Sequence, residues 1–152
     1  MLEGITTIIF DLGGTLKEEG IWEWHADYLE VKRLAKKYKI VIAANQPKMA
    51  RKFIENSAIS DDILATYLSW EMHLHKPSKK FFKFVLNDLN LRVDEVLYVG
   101  NDLINDIRTP KKLGIRTVFI TRPLKLIWIK NFLANLLFIH PDYVIKSVKE
   151  IR

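Results

Sequence analysis

Asp11 stands at the end of an apolar run (Ile5, Ile8, Ile9, Phe10) and is followed by Leu12, Gly13, Gly14 and Thr15. A strand that delivers a carboxylate onto a glycine-rich turn can present a nucleophile to a phosphate, because the turn's N–H groups form an anion-binding nest. Other useful residues follow later apolar runs. Asn45 comes after Ile40 to Ala44, Lys76 precedes Pro77, and Val96 to Val99 leads into Gly100, Asn101, Asp102 and then Asp106. Carboxylates, a lysine and amides in such positions suit a hard, oxygen-ligated cation such as Mg²⁺ beside a phosphoryl group. The chain has no cysteine, which removes disulfides, thiolate metal sites and thiolate nucleophiles. His25, His73, His75 and His140 lack ligand spacing on one face, so zinc is not indicated.

The elements that must position these residues are short apolar, β-branched runs alternating with longer amphipathic stretches. That is the pattern of βα units around a parallel sheet. It predicts strands near 5–10, 40–44, 63–68, 96–99, 116–120 and 142–145, and helices near 22–38, 48–57, 78–90, 103–113 and 147–151. Ser78 after Pro77 marks a helix start, and Gly114 after Lys111 and Lys112 marks a helix stop. In an open sheet of this kind ligands gather at the carboxyl ends of the strands, which brings Asp11, Asn45, Lys76 and the 100–106 segment to one edge. Trp22, Trp24 and His25 are expected to pack the first helix; the other reading makes them a substrate platform over the site.

A length of 152 residues fits one domain over 1–152, with the apolar stretch 124–139 as an insertion before the last strand. That stretch carries only Lys125 and Lys130 as charges and is shorter than the ~20 residues of a spanning helix. Three readings stay open for it: a helix against the sheet, a homodimer or partner surface, and an interfacial membrane anchor. The start of the chain shows no basic leader or cleavage site, so a cytoplasmic location with no transmembrane segment is expected. Net charge is +6. Residues 108–152 hold ten Lys/Arg against Asp142 and Glu150, while residues 1–107 are slightly acidic. A basic final third can favour nucleic acid, anionic lipid or phosphorylated substrates. Plain solvation of outward helix faces is the main reading of it, and nucleic acid is not favoured as a partner.

Asp11 to Thr15, read with Lys76-Pro77, with Gly100 to Asp106 and with Pro141-Asp142-Tyr143, resembles in order and register the motifs of the haloacid dehalogenase (HAD) superfamily. The resemblance covers nearly the whole chain. It implies a three-layer Rossmann-like α/β core, with a central mostly parallel sheet, helices on both faces and no cap domain. It also implies a Mg²⁺-dependent phosphatase. Asp11 is then the nucleophile that forms an aspartyl-phosphate and Lys76 the lysine that neutralises it. Gly13, Gly14 and Asn45 contact phosphate, and Asp11, Gly13, Asn101, Asp102 and Asp106 surround the metal.

Three positions depart from the superfamily pattern. Gly13 replaces the acid/base aspartate, Ala44 the phosphate-binding hydroxyl residue, and Asn101 the first acid of the fourth motif. A positioned acid/base is worth typically ~10²–10⁴ in rate. An amide in place of a carboxylate keeps an oxygen donor but removes a charge, which weakens Mg²⁺ binding. Asp102 and Asp106 also lie in the first turn of a helix, where acids are favoured by the dipole whatever their function. Three functions are compatible with these departures: a slowed phosphatase acting on a small or macromolecular phosphorylated substrate, a non-catalytic binding module on the same fold, and a metal-independent dehalogenase. The first is the main expectation.

Overall fold

In the computed structural model, which describes residues 1–122 and 138–152, six strands form one sheet. The strands are β1 (Thr7–Phe10), β2 (Lys39–Ala44), β3 (Ile63–Leu68), β4 (Val96–Gly100), β5 (Arg116–Ile120) and β6 (Tyr143–Ile145). Their order across the sheet is β3-β2-β1-β4-β5-β6, and every neighbouring pair is parallel. All six strands fall where the apolar runs place them. The central strands are buried on both faces and so read as continuous apolar segments, while the edge strands β3 and β6 expose Leu64 and Val144.

Alternate residues of the central strands feed two separate cores. Ile8, Phe10, Ile40, Ile42, Leu97 and Val99 point to one face, where they meet Val31 and Leu34 of α1 (Glu30–Ala35) and Ala50 and Ile54 of α2 (Met49–Glu55). Ile9, Val41, Ala43, Val96 and Tyr98 point to the other face. There Phe81, Phe82, Val85 and Leu86 of α4 (Lys79–Asp88) cover them, after a short α3 (Ser69–Met72). Period-two burial on both faces is what a helix–sheet–helix sandwich requires. Ser78 caps α4 by accepting from Lys80 N at 3.2 Å, and Gly114 (φ +87°) ends α5 (Thr109–Lys112).

The expected helix over 22–38 is the main correction. Only Glu30–Ala35 is helical, and residues 11–29 form a looped segment instead. Within it Lys17 pairs with both Gly13 and Trp24 across single bridges, and His25 N donates to Leu16 O at 2.9 Å. Trp24 stacks on Tyr28 and on Phe53 of α2, with ring centroids 4.8 and 4.5 Å away, and Trp22 meets Phe53 edge-on at 5.3 Å. The tryptophans therefore pack on α2 rather than on α1. The helices expected over 103–113 and 147–151 are a π-helical turn (Leu103–Arg108) running into α5 and a single 3₁₀ turn (Val148–Glu150).

Residues 124–137 of the apolar stretch lie outside the described residues. Ile139, at its end, is buried with Leu103, Ile107 and Phe119. Among the described residues no helix is long and apolar enough to cross a membrane.

The looped segment is tied to the far end of the chain by a buried ion pair. Arg122 grips Asp27 with two bonds of 2.9 and 3.1 Å and also donates to Thr15 O at 2.7 Å. Ser147 Oγ and Val148 N add bonds of 2.7 and 2.8 Å to the Asp27 carboxylate. Burial opposes ionisation of Asp27, but these donors prevail and hold its pKa below the ordinary value of 3.8. Its contribution to stability is therefore complete above the unfolded value and is lost as pH falls through the lower folded one. Asp27→Ala, which strands Arg122, is expected to cost on the order of 3–5 kcal/mol in urea unfolding at neutral pH. The deficit relative to the parent should shrink below the ordinary aspartate range.

Candidate active site

The carboxyl ends of β1 and β4, the loop after β2 and the segment after α3 meet around one buried ammonium. Lys76 Nζ lies 2.6 Å from Asp11 Oδ1, 2.6 Å from Asp106 Oδ1 and 3.1 Å from Tyr98 Oη. Lys76 is 4% exposed, Asp11 6% and Asp106 1%, so the cluster is shielded from water on nearly every side. Each residue reaches it for a local reason. Asp11 follows β1 directly, and its N–H donates to Val99 O, which locks the turn to β4. Asp106 lies on the π-helical turn, and its second oxygen accepts from Asp102 N at 3.0 Å. Gly100 allows this approach, since a methyl group placed on it would come within 2.5 Å of the Asp106 carboxyl carbon.

The electrostatics follow from three charges in one buried space. Burial works against the ammonium of Lys76, yet Asp106 and Asp11 outweigh it and hold its pKa well above the usual lysine value. Burial pushes Asp106 up to about 7, the Asp11 carboxylate adds to this, and Lys76 only partly offsets it. Tyr98 is also pushed well above its ordinary value, chiefly by burial, and its hydroxyl donates to Ala43 O at 3.0 Å. Two carboxylates against one ammonium leave the cluster one negative charge in excess when both are ionised.

Several predicted site residues do something other than expected. Asn45 brackets the backbone of Lys76: its Nδ2 donates to Lys76 O and its Oδ1 accepts from Lys76 N, both at 2.9 Å. One of its two amide hydrogens and its oxygen thus hold the lysine loop. Asp102 accepts from Ile104 N and Asn105 N at 2.9 and 3.0 Å, and so caps the turn that carries Asp106. Gly14 N–H donates to Lys17 O at 2.6 Å, so Gly14 serves sterically instead of as an anion donor. Its φ of +72° and the Asn101 side chain packed against its α-carbon leave no room for any other residue. Gly13 is half-buried at the site's rim, with the Gln46 amide and the Glu19 carboxylate above it.

Thr15 was missed as a site residue, although the Asp-Leu-Gly-Gly-Thr spacing puts its hydroxyl one helical turn from Asp11. Its Oγ1 lies 3.3 Å from Asp11 Oδ2 and 3.4 Å from Asn101 Oδ1. A hydroxyl has one proton, so it satisfies one of these oxygens and leaves the other with free lone pairs. Among the described residues no group of three or more His, Cys, Asp and Glu is set to hold an ion. The Asp11 and Asn101 oxygens that flank the Thr15 hydroxyl are of the kind that suits a hard cation, beside an excess negative charge.

Comparison with known proteins places this geometry. A model of haloacid dehalogenase-like hydrolases matches residues 30–120, which includes Lys76 and Asp106 and begins after the Asp11 turn. The chain is 51% identical over 41 residues to a phospholysine phosphohistidine inorganic pyrophosphate phosphatase of Danio rerio, covering 27% of this chain. It is 39% identical over 62 residues to a glyceraldehyde 3-phosphate phosphatase of Methanocaldococcus jannaschii, covering 41% of this chain. The aligned segments span only 15% and 26% of those relatives. A crystal structure of a dehalogenase superposes with a TM-score of 0.77 at 14% identity, covering 99% of this chain and 96% of that one, and so shares the fold. With three-fifths of its length matched by the family model, the chain belongs to the haloacid dehalogenase-like hydrolases.

Proposed function

We propose that the chain is a phosphohydrolase that works through an aspartyl-phosphate on Asp11, with Mg²⁺ as its cofactor. The observation that carries this reading is the Lys76 ammonium fixed 2.6 Å from an Asp11 oxygen. A bare carboxylate repels a phosphate dianion, and a buried cation at that distance offsets the repulsion. An Asp11 oxygen attacks phosphorus in line with the ester oxygen. The P–O bond to the leaving group breaks, and Lys76 stays protonated, held so by Asp106 and, before the attack, by Asp11 as well. Asp11, the Gly13 carbonyl and Asn101 would hold Mg²⁺, which when bound supplies charge neutralisation on the phosphoryl oxygens. Asp106 and Asn45 position the lysine, and Asp102 positions Asp106. The names of the two curated relatives, both phosphatases, support the same chemistry.

Gly13 carries no acid to protonate a poor leaving group. Aryl phosphates, whose leaving groups need no proton, are therefore expected to turn over ~10²–10⁴ times faster than alkyl phosphates. Gly13→Asp should narrow that gap by accelerating the alkyl esters. A β-carbon at that position meets Gln46 Nε2 at 2.7 Å, the movable end of a flexible chain, and Glu19 Oε2 at 3.7 Å.

Asp11→Asn should abolish Mg²⁺-dependent release of phosphate from either ester, as followed by phosphate assay. Thermal unfolding supplies the second check. Mg²⁺ with beryllium fluoride at 100 times its Kd should stabilise the parent by ~2.7 kcal/mol and leave Asp11→Asn unmoved. Failure of both measurements would return the chain to the reading of a binding module.

A further inference from the structure

An aspartyl-phosphate is released only when water attacks phosphorus and gives up a proton, and the buried cluster offers no acceptor for it. Lys76 is fully protonated, Asp11 is esterified, and Asp106 is buried against Lys76 and the Asp102 N–H. Asp102 accepts from two N–H groups of its own turn. On the surrounding loop Glu18 is paired with His25 at 2.6 Å, and Asp27 is held by Arg122. Among the described residues one further carboxylate, that of Glu19, lies over the Gly13–Gly14 turn. A methyl group placed on Gly14 would lie 2.9 Å from Glu19 Oε2, and one placed on Gly13 would lie 3.7 Å from it.

Glu19 is held there by its loop. Lys17, 4% exposed, donates to Glu18 O at 2.7 Å and to Ile21 O at 2.5 Å, bracketing the tip on both sides of Glu19. The Lys17 ammonium also lies 5.0 Å from the Trp22 ring and feels the attraction of the Glu19 carboxylate. Over the Gly14 notch Glu19 shares space with Asn101, whose Oδ1 is 3.4 Å from the same Thr15 hydroxyl that lies 3.3 Å from Asp11. The Glu19 carboxylate thus lies over the Gly13–Gly14 turn that follows Asp11, on an exposed residue.

We propose that Glu19 is the general base for hydrolysis of the aspartyl-phosphate, reaching over the Gly13–Gly14 backbone to take the proton of the attacking water. The water oxygen bonds to phosphorus, the Asp11 Oδ–P bond breaks and returns its electron pair to the Asp11 carboxylate, and one water proton passes to Glu19. The exposed side chain then loses that proton to bulk solvent. This role rests on the phosphohydrolase reading.

The test is pre-steady-state release of phenolate from para-nitrophenyl phosphate by the full chain with Mg²⁺, in the parent and in Glu19→Gln. The first step needs no proton with this ester, so Glu19→Gln should release about one phenolate per site in a burst. It should then turn over ~10²-fold or more slowly than the parent. Phosphorylated protein should accumulate on Asp11, and adding Gly13→Asp should restore the steady rate. A Glu19→Gln steady rate within about twofold of the parent overturns the role, as does a slowed rate without a burst. A deficit erased by raising Mg²⁺ overturns it too, since that marks Glu19 as a metal-binding group. If the parent itself shows no Asp11-dependent release, the phosphohydrolase reading falls and takes the Glu19 role with it. Melting temperatures of the two proteins, expected to agree because Glu19 is exposed, guard against a folding defect.

Discussion

A lysine ammonium buried between two aspartates is the constraint around which the rest of this molecule is arranged. Removing an ion from water costs several kcal/mol, and only well-placed partners offset that cost. Lys76 has them on three sides, and they come from segments far apart in the chain: Asp11 after β1, Tyr98 within β4 and Asp106 beyond it. The sheet order, with β1 between β2 and β4, is what brings these ends together. The lysine loop is then fixed by its backbone, through Asn45 on one side and the Thr109 hydroxyl donating to Pro77 O at 2.7 Å on the other. Polar residues that look like ligands in a one-dimensional reading are in large part the braces of this cation.

The floor and the rim of the site follow different physical rules. The floor is buried and charged, so loss of Lys76 would leave two carboxylates uncompensated. The rim is the 12–25 loop, held by backbone bonds to Leu12 O, by the buried Lys17 and by Arg122 on Thr15 O. It shows the Gly13 backbone and the Glu19 carboxylate to solvent. A rigid floor suits the formation of a covalent intermediate, where charge must be stabilised without reorganisation. An open rim suits the entry of water and the loss of a proton.

The central strands were legible because each is apolar on both faces, and no other element of this length needs that pattern. The turn after β1 and the lysine before Pro77 were legible from residue type and order. The first helix was overextended because Trp22, Trp24 and Tyr28 recur at spacings that also suit a helix face. Their partner is Phe53 on α2, a contact 25 or more residues away that no local pattern encodes. Asn45 and Asp102 were placed at the right edge with the wrong work. Whether an amide faces a ligand or a backbone depends on the path of a loop, and the sequence does not display that path. Glu19 lacked any motif. Its relevance appears only when the loop folds back over two glycines, one of which must be glycine because Asn101 fills the space beside it.

On the proposed mechanism, moving the proton acceptor from position 13 to position 19 carries a calculable penalty. An aspartate at position 13 would stand on a half-buried turn, whereas Glu19 hangs from an exposed tip by one more rotatable bond. Ordering a glutamate side chain costs up to ~1.5–2 kcal/mol, a loss of rate of roughly ten- to thirtyfold if it is met entirely in the transition state. That is smaller than the ~10²–10⁴ lost when no acid or base is present. The buried cluster that forms the phosphoenzyme is untouched by the move, so the two steps respond separately to sequence change. Such a site slows without losing its chemistry, because its charge-stabilising part and its proton-handling part lie on different elements with different exposure to water.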